Sequence, residues 1–85
     1  MEEVSLALLK SGEEGMVTAI NGGKGLVRKL EALGIRPGAR IAKLSGQLMH
    51  GPVLVKIGRT QVAIGYGMAR KIIVELKREI SRSRL

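Results

Sequence analysis

Glycine is abundant in this chain and divides much of it into short segments. Twelve of the 85 residues are glycine, and they are scattered along the chain rather than clustered. Short apolar runs rich in Val and Ile lie between them, as is typical of short strands joined by tight turns. The pattern therefore predicts a mainly β fold.

Five of these runs are predicted strands. They are Met16–Ile20, Ala39–Leu44, Pro52–Ile57, Gln61–Ile64 and Lys71–Leu76. An apolar lead-in (residues 4–9) and a turn predicted at residues 13–15 precede the first strand. The imperfect alternation of the second strand indicates a bulge or a bend. Gly58 predicts a hairpin between the third and fourth strands. Five strands in a chain of this size protect their edges best in a small barrel, so we expect one domain over residues 1–76 followed by a charged tail over 77–85.

One segment has the period of a helix instead. Its apolar residues share one side of a helical wheel: Leu26, Val27, Leu30 and Leu33. This spacing predicts a helix inserted near residues 24–33. Gly34 stands where a helix ends in a left-handed residue, and Pro37-Gly38 predicts a β-turn leading into the next strand.

The polar side of this helix is the candidate partner-binding surface. It carries Lys24, Arg28, Lys29 and Glu31. The chain has a formal net charge of +8, which predicts attraction to an acidic partner. The same residues also fit the solvated side of an ordinary amphipathic helix, and residue types alone leave both interpretations open.

Few residues of this chain could act in catalysis or bind a cofactor. The chain has no Cys, no Asp and a single His, so a nucleophilic triad with an orienting Asp is excluded and we expect no enzyme. Neither Gly-rich segment matches a P-loop or a dinucleotide-binding fingerprint in full. No resident cofactor is expected. His50 is a weak metal candidate, which leaves open a low-affinity or shared site for iron or zinc that a second molecule would complete.

An ordered series of motifs resembles the ferrous iron transport protein A family, the FeoA-like domains. Leu9 to Gly15 is similar to the family's Leu-x-x-Gly-Glu-x-Gly opening, and Leu33 to Gly38 is similar to its Leu-Gly-Leu/Ile-x-Pro-Gly motif. Gly51-Pro52 before a strand and the Gly58 hairpin match the continuation. The resemblance extends from about residue 4 to residue 76.

The resemblance implies an SH3-like small barrel of about five short strands with one inserted helix. It also implies an adaptor in the cytoplasm, drawn to the inner face of the membrane, that binds and regulates the cytoplasmic GTP-binding part of the ferrous iron transporter FeoB. A homo-oligomer is compatible with such a barrel.

The residues suggest two other kinds of partner, RNA and anionic lipid. An RNA-binding small barrel fits the positive charge, but the only aromatic residue is Tyr66, whereas readers of single strands stack bases on several aromatic side chains. Nucleic acid is therefore the disfavoured alternative. Attachment of the basic tail to anionic lipid has few apolar anchors, and no apolar run is long enough for a membrane span.

Overall fold

The computed structural model describes residues 2–46 and 50–76. In chain order this part of the chain forms β1 (Glu3–Ser5), a 3₁₀ turn (Leu6–Leu8), β2 (Glu14–Ile20), α1 (Lys24–Ala32), β3 (Arg40–Gly46), β4 (Val53–Ile57), β5 (Thr60–Ile64), α2 (Tyr66–Ala69) and β6 (Ile72–Leu76). All five predicted strands and the predicted helix are present. The predicted tail, residues 77–85, lies outside the described residues.

The strands form one antiparallel sheet in the order β1-β6-β2-β3-β4-β5. The described part of the chain therefore has six strands, one more than the sequence predicted. The additional strand is β1, in which Glu3, Val4 and Ser5 pair with the middle of β6. This pairing joins the two ends of the domain, so the local alternation of the lead-in gives no sign of it.

The turn predicted at residues 13–15 is wrong, because Glu14 and Gly15 belong to β2. The chain turns earlier, at Gly12, where φ is 93°. Gly15 is needed for close approach between strands instead. A Cβ atom at this position would overlap the carbonyl oxygen of Glu75 on β6.

The bulge predicted in the second long strand is confirmed. The pairing of β3 with β4 shifts register between Lys43 and Ser45. β3 also continues to Gly46, two residues beyond the predicted end. The extra residue in β3 lets both halves of this strand pair with β4, although the apolar residues of β3 do not alternate strictly.

The core is aliphatic throughout, as a chain without Phe or Trp requires. Its buried residues are Leu6, Leu9, Val17, Leu30, Ile35, Ile41, Val53, Val55, Ile64, Ala69, Ile72 and Val74. Every strand of the sheet except β1 contributes to it, and α1 adds Leu30. No helix in residues 2–46 and 50–76 has the length and apolar character needed to cross a membrane.

Candidate partner-binding surfaces

The structure places the predicted partner-binding residues together on the exposed side of α1. The side chains of Lys24, Arg28, Lys29 and Glu31 are all exposed. Leu30 is completely buried and Leu26 is half-buried, and these two residues fix the rotation of the helix against the core. Three cations and one carboxylate therefore face solvent on a helix of nine residues.

The end of α1 is fixed by two backbone hydrogen bonds around Gly34. The Gly34 amide donates to the Glu31 carbonyl oxygen at 2.9 Å, and the Ile35 amide donates to that of Leu30, also at 2.9 Å. Gly34 has a φ of 91°. This is the Schellman arrangement, in which a left-handed residue follows the helix and the next residue packs back on it. Ile35 and Leu30 are both buried, so the hydrophobic contact of that motif is present too.

A β-turn then directs the chain from α1 into the sheet. The Ala39 amide donates to the Arg36 carbonyl oxygen at 2.9 Å, with Pro37 and Gly38 at the corner. Gly38 has a φ of 95°, as the third residue of a type II turn requires. Its amide also donates to the Val17 carbonyl oxygen at 2.8 Å, which attaches the turn to β2.

Leu33 departs from the sequence prediction. Helical periodicity placed it on the apolar side, yet 38% of its surface is exposed. The helix ends at Ala32, and the core position that Leu33 would have taken is filled by Ile35 after the left-handed turn. Leu33 follows Lys29 by four residues, a spacing at which side chains on a helix are neighbours. The α1 surface therefore has an exposed apolar residue beside its cations.

A second basic surface lies on the outer face of the sheet, and no local sequence pattern indicates it. Strand register places Arg40 opposite Met16 and Ala42 opposite Lys56. Arg40 and Lys56 are exposed, and so is 41% of Met16. A groove of about 270 Å³ lies here, lined by Glu14, Arg40, Ile41, Ala42, Lys56 and Gly58. We call this surface the basic groove. It depends on pairing among β2, β3 and β4, which no single segment reveals.

His50, the weak metal candidate, lies exposed in the loop before β4. Its ring stacks on the ring of Tyr66, with centroids 4.3 Å apart and planes inclined by 15°. Its φ of 65° is the single positive value at a non-glycine residue among those described. Within residues 2–46 and 50–76 there is no group of three or more His, Asp or Glu side chains arranged to hold a metal ion.

Lys43 is a buried lysine that the sequence analysis did not single out. Only 8% of it is exposed, and its Nζ donates to the carbonyl oxygens of Ala7 at 3.1 Å and Leu9 at 2.6 Å. These two carbonyls flank Leu8, which is 71% exposed. The lysine thus connects β3 to the 3₁₀ turn and holds Leu8 outside the core. The only sequence signal near Lys43 is the imperfect alternation of apolar residues along this strand.

Comparison with known proteins identifies one family. The model of the FeoA domain matches residues 4–76. A protein of Methanocaldococcus jannaschii that carries the name Fe(2+) transport protein A is 39% identical over 70 residues, which cover 82% of this chain and 83% of the relative.

Solved structures show the same fold. A crystal structure of the iron uptake regulatory protein FeoA has a TM-score of 0.85 and 34% identity, covering 89% of this chain and 100% of that one. Stenotrophomonas maltophilia FeoA, a prokaryotic SH3 domain protein in complex with zinc, has a TM-score of 0.73 and 22% identity, covering 85% of this chain and 89% of that one. These similarities confirm the predicted SH3-like fold.

Proposed function

This chain belongs to the FeoA family of ferrous iron transport accessory proteins, and we propose that it acts by binding and regulating the cytoplasmic GTP-binding part of an FeoB-type transporter. The proposal assigns it an adaptor role in the cytoplasm and no catalytic step. Its partner would draw it to the inner face of the membrane. Ferrous iron is the cargo of the transporter, and the adaptor itself is proposed to need no resident cofactor.

The exposed side of α1 is the observation that carries this proposal. Lys24, Arg28 and Lys29 present positive charge that would speed association with an acidic partner surface. Leu33 adds the apolar contact that stabilises a protein interface once water is excluded. The Schellman end and the type II turn hold these side chains on a fixed backbone, which lowers the entropy lost on binding.

Charge reversal on α1 tests the proposal. We expect R28E/K29E to weaken binding to the isolated cytoplasmic domain of the transporter at least tenfold, a loss of about 1.4 kcal/mol, in an assay run with and without ferrous iron and GTP. The control is K10E/R70E, which makes the same change of net charge at two exposed residues outside α1. Unchanged binding by R28E/K29E would remove the helix surface from the proposal, and no binding by the wild-type chain would remove the proposal itself.

A salt titration against generic RNA separates this function from the RNA-binding alternative. An RNA-binding protein neutralises phosphates, so its affinity falls steeply as salt rises. We expect no specific RNA complex at physiological salt. A steep slope together with tight binding would favour the alternative.

His50 is the proposed location of a weak iron or zinc site, and it needs ligands from a second molecule. One imidazole cannot hold such an ion tightly, because these metals take three or four protein ligands. The second molecule would be the transporter or another copy of this chain. Sedimentation with and without zinc would show whether metal and self-association are coupled, and H50A supplies the control.

A further inference from the structure

Cationic and apolar side chains share the outer surface of the sheet at the basic groove. Side chains alternate between faces along a strand, so Arg40 and Ala42 point outward while Ile41 and Lys43 point toward the core. On the neighbouring strands Met16 lies opposite Arg40, and Lys56 lies opposite Ala42. The outer surface thus pairs a cation with an apolar residue twice, and Glu14 lies opposite Ala42 on its other side.

The two cations of the groove have no counter-ion among the described residues. Neither Arg40 nor Lys56 makes an ion pair or a side-chain hydrogen bond with residues 2–46 or 50–76. Glu14 lines the same groove, and no ion pair joins it to Arg40 or Lys56. The positive charge is therefore available to a ligand that brings its own carboxylates.

The groove is small and has both cationic and apolar lining residues. Its volume is about 270 Å³, near the lower end of the roughly 300–1,000 Å³ range of pockets for small molecules and cofactors. Its apolar lining residues are Ile41 and Ala42. A segment that carries an acidic side chain next to a small apolar one matches this combination of charge and apolar surface.

We propose that the basic groove binds an extended acidic segment of a partner protein, with its carboxylates at Arg40 and Lys56 and an apolar side chain over Ala42 and Met16. The inference rests on the proposed function in one respect: the acidic segment is assigned to the transporter's cytoplasmic part. A nucleic acid strand fits less well, because no aromatic side chain lines the groove for base stacking.

A synthetic peptide tests the groove without the transporter. The probe repeats Glu-Ser-Val-Ser, so that Glu and Val share one face of the extended chain and Ser occupies the other. We expect it to shift the NMR amide signals of residues 40, 42 and 56 in the isotope-labelled full chain. R40Q/K56Q should weaken its binding at least fivefold, and M16S about threefold, because the first loses two charge contacts and the second an apolar one.

K10Q/R70Q is the matched control, since it removes two positive charges from exposed residues outside both α1 and the groove. Equal weakening by this control would show that only net charge matters and would overturn the proposal. So would a peptide with Gln in place of Glu that binds as tightly, or signal shifts confined to other residues. Tighter binding of oligouridylate to the same residues would overturn the choice of a protein ligand.

The second arm measures binding of the same variants to the transporter's cytoplasmic domain. We expect R40Q/K56Q to bind it at least fivefold more weakly than the wild-type chain. If the domain binds the wild type and this variant equally, the groove proposal fails and the proposed function stands. If the domain does not bind the wild type, the proposed function fails, and the peptide arm still decides whether the groove takes an acidic segment.

Discussion

At the scale of single residues, Lys43 shows how one buried cation can organise a surface. Its ammonium group supplies donors to two carbonyl oxygens of the N-terminal segment. We expect K43M to lower the free energy of unfolding by about 2 kcal/mol, because a charged hydrogen-bond donor is lost and two inward-facing acceptors remain unpaired. Urea denaturation followed by circular dichroism measures this change.

Lys56 supplies the control for that prediction. It lies on the adjacent strand and is exposed, so K56M should change the free energy of unfolding by about 0.5 kcal/mol or less. If K43M and K56M are equally stable, the two hydrogen bonds of Lys43 contribute nothing net. Its burial would then reflect only the packing of its methylene chain.

At the scale of elements, two glycines of one helix region should respond to alanine with opposite signs. G34A places a side chain at a φ of 91°, a left-handed conformation that costs an L-residue about 1–2 kcal/mol. G25A lies inside α1, and beyond the local helix backbone no atom lies within 4 Å of the new methyl group, so it should stabilise the helix by up to about 1 kcal/mol. Thermal denaturation of both variants measures the difference, and a G34A protein as stable as the wild type would contradict the assigned helix end.

Element boundaries were predictable wherever the determining chemistry is local. The helix near residues 24–33, its end at Gly34 and the turn at Pro37-Gly38 follow from short-range rules on periodicity and backbone conformation. β1 was missed because it exists only by pairing with β6 at the other end of the domain. The same holds for the start of β2, where Gly15 resembles a turn residue but serves a close crossing with β6.

Of the two candidate surfaces, one follows from local sequence patterns and the other depends on tertiary structure. The exposed side of α1 could be predicted, since helical spacing groups its charges without tertiary information. Exposure of Leu33 could not, because it depends on Ile35 taking the core position after the helix. The basic groove joins residues from β2, β3 and β4, and its members lie far apart in sequence. Only strand register brings them together.

At the scale of the whole molecule, positive charge is common to the α1 surface and the basic groove, and it also destabilises the folded state. The formal net charge of +8 is carried by a chain of 85 residues, and Arg40 and Lys56 have no acidic partner among the described residues. Like charges repel one another most in the compact state. A chain arranged in this way keeps its cations available for an acidic partner and gives up some stability in return.

Salt should therefore stabilise this protein, in contrast to one held together by ion pairs. Screening of the net charge between about 20 mM and about 300 mM NaCl shortens the range of repulsion from tens of ångströms to a few. We expect a gain of about 0.5 kcal/mol, which raises the melting temperature of a domain this small by about 3 °C. R40Q/K56Q removes two of the repelling charges, so its melting temperature should respond less to salt. A melting temperature that falls as NaCl rises would mean that attractive pairs outweigh the repulsion, and the cations of the two surfaces would then be engaged within the chain rather than available to a partner.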